Sequence, residues 1–388
     1  MAAGERGNGV ARLLFLVNSA DFFLSHRLPI AIAARNQGYD VHVATPHSAS
    51  ISVLREHGLV HHGIPLTRSS ARVTEEVRAV AAITALFRRV APTIVHTVTL
   101  KPVLYGGIAA RIARVPAIVH AVSGLGYVFM AEGLRASTRR RAVLAAYALA
   151  FRHPNQKVIF QNGDDRAELG RTVADSDVAM ISGSGVDLDV FSPALRMTVP
   201  SPGPVRIVMA ARLLRDKGIV EFVEAARIVK SRGRSVEFVL AGKPDDGNPA
   251  AVSASEVRGW NDAGVLRWLG HRTDMAAVWR DADIACLPSY REGTPKSLLE
   301  AAACGLPIVT TDVPGCREVV HAGENGRLVP ARDAAALAEA LDALVLDEAS
   351  RREMGQRSRE RAIESFGVRA VESATLAIYE ELVGRVRA

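Results

Sequence analysis

Short runs of consecutive apolar residues alternate along this chain with longer stretches in which apolar positions recur every three or four residues. Arg12–Val17 (R-L-L-F-L-V) is of the first kind past its leading arginine, and Tyr39–Thr45, Ile94–Val98, Ala117–Val122 and Val158–Gln161 are short, mostly apolar stretches like it, interrupted by Asp40, His42, His96, Thr97 and His120. A strand covered on both faces has no polar side to present, so it reads as an unbroken apolar run. Phe23–Gln37, closed by Gly38, and Gly107–Arg114 are of the second kind, and the polar N-G-D-D-R after Val158–Gln161 reads as a helix start. Strand and helix in alternation predict a doubly wound parallel sheet. Proline and glycine then crowd 193–204 (P-A-L-R-M-T-V-P-S-P-G-P), which predicts a linker at 191–204. Past it the alternation restarts. Val205–Met209, Val236–Ala241, Val265–Leu269, Asp283–Leu287 and Pro307–Thr311 read as strands, and Ile219–Arg232 and Val368–Val386 as helices. At 388 residues the chain has room for two such domains.

The stretch Cys286–Val320 carries the candidate chemistry. After the strand ending at Leu287 comes a loop, Pro288–Gly293, and then a helix. Thr294 can cap that helix, Pro295 suits its first position, and Gly305 can close it in the left-handed conformation. Ala301, Ala302 and Ala303 make it thin enough to lie close on a sheet. Ligands of such sheets bind at the carboxyl ends of the strands. A helix start offers free N–H groups to a phosphate, and a carboxylate accepts hydrogen bonds from sugar hydroxyls. Glu292 in the loop and Glu300 in the helix are eight apart and suit that second task; solvated surface charge is the alternative reading for both. Upstream, Arg212 and Lys217 follow the strand Val205–Met209 directly. A guanidinium grips phosphate oxygens at two points and an ammonium acts as a point charge; two surface cations at a helix start is the alternative. Three Asp-x-Asp strings, at 175/177, 187/189 and 281/283, fall at helix ends and a linker and read as structural. Gly315 and the G-E-N-G run at 323–326 read as turns, with Glu318 kept as a site candidate.

E-G-T-P-K-S-L-L-E-A followed by C-G-L-P-I-V-T-T-D-V-P-G-C-R-E-V-V resembles the donor-sugar site of the retaining glycosyltransferases of family 4, which have the GT-B fold. The family's mark is two glutamates separated by seven residues, and Glu292 and Glu300 fit it. The likeness runs over most of the chain and is strongest in its second half. It implies an α/β protein with two doubly wound, Rossmann-like domains facing across a cleft: an acceptor-binding domain at 1–190, the linker at 191–204, a nucleotide-sugar-binding domain at 205–367, and a last helix, 368–388, crossing back to the first domain. It implies transfer of a sugar, an N-acetylhexosamine or hexose, from a nucleotide diphosphate such as a UDP-sugar to a hydroxyl of a glycan or lipid-linked saccharide. Arg212, Lys217, Glu292, Gly293, Thr294, Pro295, Lys296, Glu300 and Arg272 would bind the donor. Arg212 and Lys217, resembling the family's pair five apart, would hold the diphosphate. Glu300 would hold the ribose, and Gly270–Arg272 would lie where the base is seated. Glu292 would steady the cation-like transition state rather than act as a nucleophile. No metal or other cofactor is needed. The same-fold alternatives are a nucleotide-sugar epimerase or phosphorylase, or a non-catalytic sugar-nucleotide-binding protein.

His96–Pro102 with Tyr105–Gly107, and Val122-Ser123-Gly124-Leu125-Gly126-Tyr127, are similar to the subgroup that extends bacterial surface glycans on undecaprenyl-diphosphate carriers. Asn18, His26, Lys101, His120, Ser123 and Gly124 are the acceptor or cleft candidates, with Arg27 weighed beside His26. Many family members have a Gly-Gly pair after the first strand, where this chain has N-S-A-D-F-F-L-S-H-R. Aligned on the glycines, Ser123 stands where the wider family has a cleft histidine, and His120 lies three residues earlier; a core histidine is the other reading of His120.

Charge sharpens this picture. Residues 1–190 hold 21 Lys and Arg against 14 Asp and Glu, whereas the rest hold 27 of each; residues 66–160 alone hold 14 against 3. A basic first domain suits an anionic acceptor or surface. Nucleic acid is not expected, because no aromatic-rich basic stripe is present. Ser137–Arg152 reads as an amphipathic helix with a basic start, either lying on anionic lipid headgroups or covering a sheet with solvated arginines. Three cysteines without paired spacing, no signal peptide and no apolar run of about 20 residues point to a cytoplasmic protein. Peripheral attachment to the inner face of the cytoplasmic membrane stays open.

Overall fold

The computed structural model describes residues 10–66, 73–125, 129, 133–194, 203–245, 248 and 250–387. Gly126 and Tyr127 of the glycine-rich turn, and 195–202 of the expected linker, lie outside them. The chain divides into two compact units, Met1–Ile181 with Val371–Ala388, and Ser182–Ala370. The division thus falls ahead of the proline-rich stretch.

The first unit holds a seven-stranded sheet: β1 Arg12–Val17, β2 Asp40–Thr45, β3 Val60–Gly63, β4 Ile94–Val98, β5 Ala117–Val122, β6 Gln156–Phe160 and β7 Val178–Met180. Its spatial order is β3-β2-β1-β4-β5-β6-β7, and all six pairings are parallel. Successive strand residues face opposite ways, and both faces of β1 are covered, which is why it has no polar position after Arg12. Leu13, Phe15 and Val17 join a core with Phe23, Ile30 and Ala34, completed by Val371, Leu376, Tyr379 and Leu382 of the last helix. Leu14 and Leu16 join the opposite core with Ile83, Leu86 and Phe87 of the helix Val73–Val90. From Val371 onward the last helix, Val368–Arg387, is therefore part of the first unit, as expected.

Two expected helices differ. Phe23–Gln37 is two helices, Ala20–His26 and Leu28–Asn36, separated at Arg27 (φ −130°, ψ −11°). Pro29 has no N–H to continue the ladder, and its ring would meet the carbonyl four residues back. The helix expected from Gly107 starts at Leu100 and ends at Ala113, with Arg114 left-handed at φ 56°. The basic stretch expected at Ser137–Arg152 is the helix Leu134–Ala150. Its Tyr147 and Ala150 are buried against β6, while Arg139, Arg140 and Arg141 face solvent. It covers a sheet.

The second unit holds β8 Val205–Ala210, β9 Val236–Ala241, β10 Arg267–Gly270, β11 Ile284–Leu287, β12 Ile308–Thr311 and β13 Gly326–Val329. The order is β10-β9-β8-β11-β12-β13, again all parallel. In each sheet the chain reverses its direction of winding next to the first strand, between β1 and β4 and between β8 and β11. Loops leaving the carboxyl ends there diverge and leave room for a ligand. The helix after β11 begins at Lys296, with Pro295 at the cap position and no side-chain cap bond, so Thr294 and Pro295 each sit one place earlier than expected. Proline needs no N–H at a helix start, so it serves at the cap as well. Leu298 to Ala303 of that helix are all buried, and Gly305 closes it at φ 73°.

Candidate active site

In the second unit the reversal point is built from the loops after β8, β11 and β12. Two glycines let these loops touch. Gly218 (φ 76°) lies so close to the β11 loop that a Cβ would stand 2.0 Å from the Pro288 carbonyl oxygen. A Cβ on Gly315 (φ 78°) would stand 2.0 Å from that of Gly293. No side chain fits either gap, and a positive φ favours glycine. Hydrogen bonds complete the lacing. Ser289 Oγ donates to the Asp216 carbonyl at 3.2 Å, Tyr290 N–H donates to the same oxygen at 2.9 Å, and Thr311 Oγ1 donates to the Ser289 carbonyl. Glu292 N–H donates to the Pro314 carbonyl at 3.3 Å.

This lacing fixes Lys217 against Glu292. Lys217 Nζ donates to Glu292 Oε1 at 2.6 Å, and the two side chains are only 18 % and 12 % exposed. The two residues are 75 apart in sequence, yet the structure joins them in one ion pair. Cys316 is buried beside it; burial, reinforced by the Glu292 charge, pushes its thiol up to about 12 and keeps it protonated. Glu300 is buried, not solvated: its Oε2 accepts from Trp279 Nε1 at 3.3 Å and its Oε1 lies 3.7 Å from Lys296 Nζ. Burial raises its carboxyl pKa against the opposing pull of Lys296. Trp279 carried no signal in the sequence; only the packed structure reveals it as the partner of Glu300.

The expected donor set falls into two groups. Lys217, Glu292, Gly293, Thr294, Pro295, Lys296 and Glu300 follow β8 and β11. Arg212 and Arg272 take other partners at the ends of β8 and β10. Arg212 Nη1 donates to Asp245 Oδ2 after β9 at 2.6 Å and is 55 % exposed. Arg272 Nε donates to Asp274 Oδ1 at 2.7 Å. Arg212 and Lys217, expected to act together, are thus each paired with a different carboxylate. The Asp-x-Asp strings serve structure: Asp283 Oδ2 accepts from Arg206 N–H at 2.8 Å, and Asp187 Oδ1 accepts from Asp189 N–H at 2.9 Å.

In the first unit the residues expected to serve the acceptor are cationic or neutral. Asn18 follows β1. His26 stacks on Phe22 with ring centroids 4.1 Å apart and bonds Ser25 Oγ through Nδ1 at 2.6 Å. Its neighbour Arg27 turns inward instead and is 3 % exposed. Arg27 Nη1 donates to the His26 carbonyl at 3.0 Å and Nη2 to Ser123 Oγ, just past β5, at 3.2 Å. Gly124 follows at φ 96°. Burial lowers the Arg27 pKa to about 10, which leaves it charged at neutral pH. Lys101 Nζ donates to Glu76 Oε1 at 2.8 Å, and Tyr105 Oη donates to the other oxygen of that carboxylate. His120 is fully buried in β5; its Nδ1 bonds Thr97 Oγ1 at 2.8 Å, and burial pushes its pKa down to about 3. His96, which sequence reasoning passed over, bonds Tyr379 of the last helix through Nδ1 at 2.5 Å, and burial holds it neutral. Among the described residues no group of His, Cys, Asp and Glu is arranged to hold a metal ion.

Two doubly wound parallel sheets, with a laced acid–base pair at the reversal of the second, place the chain in a class: α/β proteins of the GT-B fold. Residues 12–162 match the family model described as "Glycosyl transferase 4-like", and residues 197–361 match "Glycosyl transferases group 1". The chain belongs to the GT-B glycosyltransferases of family 4. It is 26 % identical to the N,N'-diacetylbacillosaminyl-diphospho-undecaprenol alpha-1,3-N-acetylgalactosaminyltransferase of Campylobacter jejuni, over 97 % of this chain and all of that one. It is 23 % identical to the UDP-Gal:alpha-D-GlcNAc-diphosphoundecaprenol alpha-1,3-galactosyltransferase of Escherichia coli, over 86 % and 87 %. Among solved structures, the sucrose-phosphate synthase of Thermosynechococcus elongatus superposes with a TM-score of 0.77 at 20 % identity, covering 97 % of this chain and 100 % of that one. Anabaena HepE in complex with UDP-glucose superposes with a TM-score of 0.75 at 19 % identity, covering 96 % and 99 %.

Proposed function

We propose that the protein transfers a sugar, with retention at the anomeric carbon, from a UDP-sugar to a hydroxyl of a saccharide carried on a lipid diphosphate, in the assembly of a bacterial surface glycan. The observation that carries this reading is the Lys217–Glu292 pair at the reversal point of the second sheet, beside a buried Glu300. The likeness to the Campylobacter jejuni enzyme over nearly the whole chain supports the acceptor class.

The pair is suited to donor chemistry because each partner can exchange the other for substrate. Lys217 turns from the carboxylate to a phosphate oxygen, and Glu292 turns from the ammonium to a sugar hydroxyl. As the glycosidic bond breaks, negative charge grows on the diphosphate and positive charge on the sugar ring. Lys217 offsets the first and Glu292 the second, in a site whose donors are already oriented. Arg212 reaches the same diphosphate by leaving Asp245. Lys296, the first residue of its helix, adds a further cation, with N–H groups of the helix start close by. Glu300 accepts from a ribose hydroxyl, held in place by Trp279. No metal is required, because these cations supply its charge. Arg272 contributes beside the base. Asn18, His26, Lys101, Ser123 and Gly124 serve the acceptor in the first unit. His120, buried in its strand, acts by packing there.

The exposed Arg139, Arg140 and Arg141 support a second, separable reading: contact of the first unit with an anionic membrane from the cytoplasmic side. Each basic residue near such a surface adds about 1 kcal/mol. Sedimentation with phosphatidylglycerol vesicles against neutral ones tests it; equal binding to both rejects it. For the main reading, a thermal-shift screen of nucleotide sugars identifies the donor. Turnover with lipid-diphosphate-linked acceptors follows, with the product anomer read by NMR. Donor hydrolysis or epimerisation without acceptor, or donor binding with no turnover on any acceptor, rejects it.

A further inference from the structure

Among its described residues, the first unit buries a full positive charge opposite no negative one. Arg27 is 3 % exposed, and its hydrogen-bond acceptors are a peptide carbonyl, that of His26, and the Ser123 hydroxyl. Its Nε is buried without a partner, and no carboxylate pairs with it among the described residues. The groups around it do not compensate. His96 and Tyr379 lie close enough to feel its charge, and both are neutral at physiological pH. A buried ion without a counter-charge costs several kcal/mol, so proteins pair such groups or give them a ligand. At the ends of the second sheet, by contrast, Lys217 has Glu292, and the more exposed Arg212 and Arg272 have Asp245 and Asp274.

A second observation lies beside the first. Thr99, immediately after β4, has a buried Oγ1 with no hydrogen-bond partner, and its own N–H reaches the Ala121 carbonyl of β5 at 3.3 Å. Thr99 therefore sits next to the end of the strand that Ser123 follows. Thr99 and Ser123 leave the carboxyl ends of the neighbouring strands β4 and β5, where the first sheet reverses, and the Arg27 side chain reaches Ser123 from the end of the helix that follows β1. The guanidinium and the Ser123 hydroxyl meet there, with the unpartnered Thr99 hydroxyl at the neighbouring strand end and no carboxylate paired with Arg27 among the described residues. Ser123 and Gly124 are partly exposed and mark the open side.

We propose that Arg27, with the hydroxyls of Ser123 and Thr99, is a binding site for a phosphate oxyanion, and that in the reaction it holds the diphosphate of the lipid-linked acceptor. The assignment of a diphosphate acceptor rests on the function proposed above; the oxyanion site itself does not. A planar guanidinium can present two N–H groups to one phosphate, and Ser123 keeps a lone pair free for Arg27 while its hydroxyl donates outward. Desolvation makes each such bond stronger than at the surface.

The test uses the full chain with the donor site saturated by UDP, so that added inorganic diphosphate reads the other site. Diphosphate is expected to raise the melting temperature of the wild type. Arg27→Met, which keeps the apolar stem, is expected to bind it ten- to a hundredfold more weakly, the range for a charge-assisted hydrogen bond. Without diphosphate the same variant is expected to melt no lower than the wild type, because an uncompensated buried charge has been removed. Arg27→Lys, which keeps the charge but loses the fork, is expected to fall between the two. A lower melting point for Arg27→Met with unchanged diphosphate affinity overturns the proposal and leaves Arg27 a packing residue. A functional arm compares kcat/KM for a short polyprenyl-diphosphate-linked sugar with that for the same sugar as a neutral alkyl glycoside. The preference for the diphosphate-linked acceptor is expected to fall ten- to a hundredfold in Arg27→Met. An unchanged ratio overturns the acceptor assignment, as does a wild type without any preference. Diphosphate binding that depends on Arg27, in a wild type that transfers to no acceptor, leaves the site standing and sinks the proposed function instead.

Discussion

The two units have the same strand order around their reversal points and opposite chemistry there. The second unit sets charge against charge. Lys217 meets Glu292 at 2.6 Å, and Glu300 is buried beside Lys296 and Trp279. The first sets a cation among neutral groups, with Arg27 between Ser123, His96 and Tyr379. A parallel sheet decides where a ligand can sit and says nothing about its charge; the loop residues decide that. A site that must meet both a diphosphate and a sugar's hydroxyls needs both signs. A site that meets only an anion needs one.

The largest expected effect breaks the charged site. Lys217→Ala or Glu292→Ala lowers kcat by about 10²–10³, as removal of one preorganised transition-state contact does. Steady-state turnover of folded variants checks it. Activity within a few-fold of wild type in either variant removes that residue from the mechanism.

Acid should separate the units next. In the first unit His96, His120, His61, His62 and His153 all have lowered pKa values, with burial the largest cause in each. The unfolded chain then binds protons that the folded unit refuses. Stability is full above the unfolded value of about 6.5 and is lost as pH falls toward the folded values. His62, pushed down to about 4, and His120, to about 3, mark the lower end of that window. The fully buried His96 and His120 each contribute a loss on the order of 1 kcal/mol per pH unit within it, and the more exposed His61 and His62 contribute less. Amide hydrogen exchange at pH 5 against pH 7.5 is expected to show opening in β2–β5 first. Uniform opening of both sheets would refute the contrast.

Tyr379→Phe leaves His96 Nδ1 buried without its partner and is expected to cost about 1–3 kcal/mol, read by chemical denaturation. The cost falls on the first unit, although residue 379 comes last in the chain.

Glu300→Gln is the smallest stability effect and has the opposite sign. Burial raises this carboxyl, so its ionisation opposes folding. The wild type is most favoured below the unfolded value near 4.5 and loses that advantage as pH rises through the folded value. The variant should therefore be as stable as wild type or more so, by roughly 1 kcal/mol, at pH 7, with the gain vanishing near pH 4. Donor KM should rise meanwhile; an unchanged KM would remove Glu300 from ribose binding.

Much of this was legible beforehand. β1, β4, β5 and β9 fall within the bounds read from apolar runs, because a strand buried on both faces has no other way to be written. The return of the last helix to the first unit followed from the family likeness, as did the pairing of Glu292 with Glu300 in one motif. Pro29 is a local signal that periodicity alone overrode: the apolar repeat continues through Phe23–Asn36 although the backbone cannot. Arg212 was expected to share the diphosphate with Lys217 because the two resemble the family's pair five apart, but which carboxylate each side chain meets depends on what its loop packs against. Asp245, 33 residues on, holds it elsewhere.

By itself the sequence determined the alternation of elements, hence two parallel sheets, and the kinds of group available at their ends, because burial and backbone geometry leave a local imprint on residue choice. Only the tertiary structure decided which of those groups meet. Lys217 and Glu292 are joined, and Arg27 is buried without a counter-charge among the described residues, because segments far apart in sequence meet where neighbouring strands end. No local pattern records a distance of that kind.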